Sequence, residues 1–366
     1  MSRIIAARRS AVAPRGGAFS SLDLHELAAP VIVQALADAG LPPERVGEVI
    51  LSNALGGGGN PARRVALAAG LPERVAGLSI DRQCAGGLDA LLLADALIRS
   101  GQHEVVIAGG VESYSRRPLR HRTFADGRAP EPYDQAPFTP WPDRDPDMAV
   151  AAETLARKLG IDRVAQDRWA MDSHRKARAC PDWLRKAEIV AMAGLETDAF
   201  TRPLTERLCA RAPVVSGSVT VANMAVAADG AAVVVLVSER LAQELGQPGV
   251  ALCEGRTLGD VPDLPGLAPV AAIEAVMAGK PRGDLVAAEI MEAFAVQAMG
   301  CTEGAGLDAG LVNRHGGALA RGHPVGASGA ILAVRLFHML RREKGMGLAA
   351  IASAGGLGTA VLFSNT

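Results

Sequence analysis

Two residues in this chain pair a reactive type with a setting that can use it. Cys84 stands where the loop Ser79-Ile-Asp-Arg-Gln runs into the small residues Ala85-Gly-Gly, which open an apolar helical pattern. A thiol at a helix N-terminus meets the positive end of the dipole, so the expectation is a lowered pKa and a nucleophilic sulfur. Small neighbours let a substrate and main-chain amides crowd that sulfur. The other reading is a buried structural cysteine. His323 lies in Asn313-Arg-His-Gly-Gly-Ala-Leu-Ala-Arg-Gly-His-Pro-Val-Gly-Ala-Ser-Gly, a turn-permissive loop in which Pro324 fixes the backbone after it. Held rigidly there, a histidine can take a proton from a thiol and later give it up. It can also be a loop histidine bonded to main chain, as His315 is read. Near the C-terminus, Gly355-Gly-Leu-Gly offers the amides of Gly355 and Gly356 to an oxyanion. Residues 56–59, four glycines, lack the Lys-Ser/Thr of a phosphate-binding loop and read as a surface turn.

The elements that must position these groups alternate between β and α patterns. Residues 46–52 (VGEVILS) and 104–108 (EVVIA) read as strands, and residues 24–37 carry helical periodicity, with a capping box from Asp23 to Glu26 and an expected bend at Pro30. Such alternation implies parallel strands joined by crossovers. Between residues 115 and 146 the pattern vanishes: seven of the chain's 22 prolines fall in these 32 residues, amid Arg, Asp and aromatics. A patternless stretch of that length is expected to be a functional excursion, here covering a site. Helical patterns return over 148–158 and 164–179, and a strand-like run follows over 231–237.

An internal repeat connects the two reactive residues. Cys84-Ala-Gly-Gly-Leu-Asp-Ala opens a helix ending near Arg99, followed by the strand and turn Val105-Val-Ile-Ala-Gly-Gly. Gly326-Ala-Ser-Gly-Ala-Ile-Leu opens another ending near Arg341, followed by Ala349-Ala-Ile-Ala-Ser-Ala-Gly-Gly. Without gaps, Ala85 meets Ala327, Gly87 meets Gly329 and Arg99 meets Arg341. Duplication is the preferred reading, the alternative being two small-residue helices that arose independently. It divides the chain into residues 1–245, with an excursion over about 115–215, and residues 246–366, and lets Cys84 and His323 converge from equivalent ends of two halves.

Composition narrows the class. The chain has 366 residues, 49% hydrophobic but only 3% aromatic, with 41 glycines, which suits Ala/Val/Leu-rich α/β layers. Lys plus Arg (38) balances Asp plus Glu (39), arguing against nucleic acid or an anionic membrane as partner. The five cysteines are odd in number and widely spaced, which points to free thiols in a cytoplasmic protein and to no metal. No apolar run reaches the length of a membrane span.

Taken together, Gln83-Cys-Ala-Gly-Gly-Leu, Ala108-Gly-Gly-Val-Glu-Ser, Met291-Glu-Ala-Phe-Ala, Gly322-His-Pro-Val-Gly-Ala-Ser-Gly and the final Gly-Gly-Leu-Gly resemble the thiolase superfamily from Ile4 to Leu362. The resemblance, to acetyl-CoA acetyltransferases and 3-ketoacyl-CoA thiolases, implies a duplicated five-layer αβαβα fold and a homodimer or homotetramer. It implies acyl-CoA substrates with no further cofactor, and a place in fatty acid or polyketide-type metabolism. Cys84 matches the residue acylated by acyl-CoA and His323 the one that activates it. Met148, Ala225 and Phe294 match substrate-binding positions, and Asp147 stands where a histidine is often found. Met291 replaces the asparagine that holds an oxyanion-hole water, and a thioether cannot donate to that water. Ala352 replaces the carbon acid/base cysteine, and Ala225 a serine that contacts the pantetheine arm. Glu292, Ser353 and Cys301 are the candidates for the missing base. The expected activity is acyl transfer through a thioester on Cys84, in thiolysis of 3-oxoacyl-CoA or Claisen-type condensation. The alternatives are transfer to a non-carbon acceptor or water, and an acyl-CoA-binding or partner subunit without the carbon acid/base.

Overall fold

The computed structural model describes residues 1–365. The first half contributes strands β1 (Ser2–Ser10), β2 (Glu48–Ser52), β3 (Ala76–Ile80), β4 (Val105–Glu112) and β5 (Ala228–Ser238). The second contributes β6 (Val250–Gly259), β7 (Leu285–Ile290), β8 (Met346–Ser353) and β9 (Leu357–Ser364). Their order is β7-β8-β9-β6-β1-β5-β4-β2-β3, two sheets joined edge to edge where Arg3 and Ile4 pair with Ala251 and Val250. The sheets are mixed, not parallel throughout as the alternation suggests. Among these nine strands only β2 with β3 and β4, and β7 with β8, run parallel. The physical reason is plain at β8 and β9: a three-residue turn, 354–356, joins them, and so short a link permits only an antiparallel pair. The second sheet has no long counterpart of β3; a single parallel bridge from Ala288 to Val312 takes its place.

Helices complete five layers. On the outside of the first sheet lie α1 (Leu24–Ala39) and α2 (Pro61–Ala68). Between the sheets lie α3 (Gly86–Arg99) and, from the second half, Val325–Leu340. The segment between β4 and β5 carries α4 (Met148–Leu159) and α5 (Arg163–Arg178); α6 (Ala268–Met277) and α7 (Ala295–Gly304) cover the second sheet, and Val325–Leu340 is α8. The capping box forms as expected, with Glu26 accepting the Asp23 amide at 2.8 Å, and α1 runs on through Pro30, which sits on its exposed side. Every residue of α8 but His338 is buried, as a helix enclosed by two sheets requires.

The two halves touch where the repeat aligns them. A Cβ on Gly87 would lie 2.5 Å from the Ala330 amide, and one on Gly329 would lie 2.5 Å from the Leu88 amide. The central helices therefore pack backbone to backbone, which only glycine allows. Residues 115–146 lack regular structure apart from the short pair Arg120–Arg122 with Glu131–Tyr133 and one helical turn, Pro142–Arg144.

Candidate active site

The loop after β3 does not enter α3 directly. Asp81 accepts the Gln83 amide at 2.9 Å, Gln83 adopts φ 45°, and Gln83–Ala85 forms a tight 3-10 turn that carries Cys84 just ahead of the α-helix. Ser353, at the end of β8, clamps this turn from the second half: its hydroxyl accepts the Ala85 amide at 2.8 Å and donates to the Arg82 carbonyl at 3.1 Å. The Cys84 main-chain N–H lies beside its own sulfur and donates to no carbonyl among the described residues.

His323 reaches the same point from the loop before α8. Its amide donates to the Val226 carbonyl at 2.8 Å, and its Nε2 lies 3.2 Å from Cys84 Sγ. On the other side of the ring, Nδ1 lies 2.7 Å from the Ser328 hydroxyl, which is 3.1 Å from the Pro324 carbonyl. A hydroxyl has one proton to give. With that proton on Pro324, Ser328 accepts from Nδ1–H, and Nε2 is left with its lone pair toward the thiol. The tautomer is thus set by bonds one turn into α8.

The electrostatics differ from the expectation for a helix N-terminus. Burial pushes the Cys84 thiol up to about 12, and the carboxylates of Glu112 and Asp81 add to the effect. Burial, with Arg321 nearby, pulls His323 down to about 4. Desolvation outweighs the dipole, so the resting pair is a neutral thiol facing a neutral imidazole. Such a pair suits a base that takes the thiol proton in the attacking step itself.

Glu112 was not singled out from sequence as a site residue, though it lies within the quoted Ala108-Gly-Gly-Val-Glu-Ser motif. It is fully buried and accepts from Asn53 at 2.7 Å, from the Ala54 amide at 2.9 Å and from the Gly326 amide at 3.0 Å. It so ties the loop after β2 to the first turn of α8. Burial raises it to about 7 despite these donors. A charged residue closing an all-apolar strand was the available signal.

The other expected residues fall into distinct places. Glu292 accepts from Trp169 at 3.0 Å, Ser173 at 2.7 Å, Asn313 at 2.9 Å and the Leu319 amide at 3.2 Å, which occupies its oxygens. Cys301 is buried in the cluster outside the second sheet, where its Sγ donates to the Gly266 carbonyl at 3.0 Å; Cys84 packs on the different cluster between the sheets. Burial pushes the Cys301 thiol up to about 12. Ser353 is committed at both its donor and its acceptor side, as described. Met291 is packed into the central core, and Ala352 is half-buried opposite Gly358. Gly355 and Gly356, at φ 76° and 75°, shape the β8–β9 turn, and their amides donate to no main-chain carbonyl among the described residues. A Cβ on Gly355 would come within 3.1 Å of the Phe138 carbonyl, so the excursion does reach over this turn. Met224 bridges to Phe294 and Ala225 donates its amide to Ala293 at 2.9 Å, which lines that strip up against His323 through the Ala227 bridge. Met148 begins α4, and Asp147 caps it by accepting the Ala149 amide at 2.8 Å.

Comparison with known proteins decides the family. Residues 2–240 match the thiolase N-terminal domain and residues 256–365 the thiolase C-terminal domain. This chain is a thiolase. Along 98% of both chains it is 40% identical to YhfS of Bacillus subtilis (strain 168), and 37% identical to the acetyl-CoA acetyltransferase of Cupriavidus necator. The crystal structure of human mitochondrial 3-ketoacyl-CoA thiolase in complex with CoA superposes with a TM-score of 0.92, covering 100% of this thiolase and 98% of that chain at 28% identity.

Proposed function

We propose that this thiolase-family acyl-CoA acyltransferase forms its acyl-enzyme on Cys84 with His323 as the base. The observation that carries the reading is the 3.2 Å contact from His323 Nε2 to Cys84 Sγ, with Ser328 holding the opposite ring nitrogen. In the step, the thiol proton passes to Nε2 as sulfur attacks the thioester carbonyl. The free amides at Cys84 and the 355–356 turn face the developing oxyanion. Collapse expels the coenzyme thiolate, which takes the proton back from His323. Coenzyme A enters and leaves as part of the substrate, and no other cofactor is used. The excursion, with Met148, and the strip from Met224 to Phe294 form the walls for the pantetheine arm.

Carbon–carbon chemistry is the weaker half of the repertoire. Ala352 has no proton to move, Ser353 is clamped, Glu292 is saturated and Cys301 belongs to another core cluster. The favoured reading is rapid acylation of Cys84 with slow thiolysis of 3-oxoacyl-CoA and slow condensation. Intact mass after mixing with acetyl-CoA, propionyl-CoA and longer acyl-CoAs tests the first part: one acyl group is expected on the wild type and none on Cys84→Ala. Absence of an adduct from every thioester sinks the proposal. The second part is tested by loss of the enolate absorbance of acetoacetyl-CoA in the presence of coenzyme A; thiolysis as fast as acylation overturns it.

Cytoplasmic residence and a homodimer or homotetramer belong to the same reading. All five cysteines are free, as a reducing compartment keeps them. Among the described residues no helix is long and apolar enough to cross a membrane. Among the described residues strand β3 pairs only with β2, leaving beside Cys84 an open edge that a second copy can extend, with Leu78 exposed on it. Light scattering on the purified chain reads the assembly; a monomer at micromolar concentration contradicts it.

A further inference from the structure

Just before His323 in sequence, the chain lines a cavity of about 190 Å³ with an unusual charge balance. Five arginines, Arg9, Arg178, Arg185, Arg321 and Arg335, face it against one carboxylate, Asp198. Three of the five are committed. Arg9 binds Glu188 and Asp198, Arg335 binds Glu188, and Arg185 pairs with Asp182. Arg321 is different: only 3% exposed, it makes no ion pair among the described residues, and the one hydrogen bond of its guanidinium is a 3.4 Å contact to the Gly316 carbonyl. Arg178, exposed at the mouth, has neither hydrogen bond nor ion pair among the described residues. Two carboxyls act on Arg321 electrostatically without bonding to it: Asp198, which is bonded to Arg9, and Glu289, buried with both oxygens unbonded and raised by burial to about 7, which makes it a poor counter-charge. A guanidinium withdrawn from water without a partner is costly to keep, and its planar fork of donors suits a tetrahedral oxyanion.

We propose that this cavity binds a small oxyanion of the phosphate class, held by Arg321 with Arg178 at its mouth. Two sources share that chemistry, free inorganic phosphate and a phosphoryl group of coenzyme A. Isothermal titration of the full chain with inorganic phosphate is the test. One saturable site per chain is expected, weakened at least tenfold by Arg321→Leu and severalfold by Arg178→Ala. The rim variant keeps the test decisive should the buried one fail to fold. Titration repeated in saturating coenzyme A and in dephospho-coenzyme A separates the sources. Arg321-dependent phosphate binding that coenzyme A alone abolishes assigns the cavity to the 3′-phosphate; binding that persists in both assigns it to the free ion, and either supports the proposal. No saturable binding of phosphate or sulfate to the wild type, or binding that both variants leave unchanged, overturns it.

Discussion

At the scale of the residue, the notable feature is a candidate nucleophile whose burial favours the protonated thiol. Many cysteine enzymes hold a thiolate ready; here burial and two nearby carboxylates oppose it, and His323 is kept neutral beside it. The base is then needed in the attacking step itself. His323→Ala is expected to slow acylation of Cys84 by roughly 10²–10⁴-fold, the usual contribution of a positioned base, as read by stopped-flow release of coenzyme A. The pH dependence follows with its sign. His323 works in its neutral form, which its lowered pKa preserves as the medium is acidified past the ordinary imidazole value. The acid limb of the acylation rate should therefore fall near pH 4, where His323 takes up its proton. A limb centred near 6.5 contradicts this assignment.

At the scale of the element, the proposed reactive pair is positioned by the seam between α3 and α8. Gly87 and Gly329 let these helices approach until their backbones touch, and that approach sets the 3.2 Å contact between side chains from different halves. A methyl group at Gly329 meets main chain, which cannot swing aside. Gly329→Ala is expected to cost about 1–3 kcal/mol or more by overpacking. It should slow acylation as well, because Ser328 is its immediate neighbour. Denaturant unfolding and the acylation rate measure the two effects; an unaffected variant would show that the seam has slack.

At the scale of the whole molecule, the two halves and the excursion share one buried ionic junction. Glu188, which ends the short helix Asp182–Glu188 within the excursion, binds Arg9 of β1 and Arg335 of α8, and all three are almost completely buried. The two guanidiniums hold Glu188 down to about 2 although burial opposes them. Removing Glu188 leaves Arg335 buried without an ion pair among the described residues and leaves Arg9 with Asp198 alone. Glu188→Ala is expected to lose about 3–5 kcal/mol in denaturant unfolding. A loss below 1 kcal/mol would place the cohesion of the three parts elsewhere.

Much of this was legible in the amino-acid sequence because it is local or repeated. Helix periodicity and the Asp23 capping box placed α1, and the small-residue repeat around Cys84 and Gly326 marked the central helices. The same motifs pointed to the fold and to Cys84 and His323, which lie 3.2 Å apart. What the chain alone could not show depends on groups far apart in sequence meeting out of water. The direction of the Cys84 shift came out opposite to the dipole argument, because desolvation is a property of the folded core and not of the helix. The roles of Ser353, Glu292 and Cys301 followed from hydrogen bonds to partners as distant as Ala85, Trp169 and Gly266. By itself the sequence determined which thiol and which imidazole are available. Tertiary structure alone decided their setting, because only packing two halves against one another brings the two groups within 3.2 Å and partly out of water.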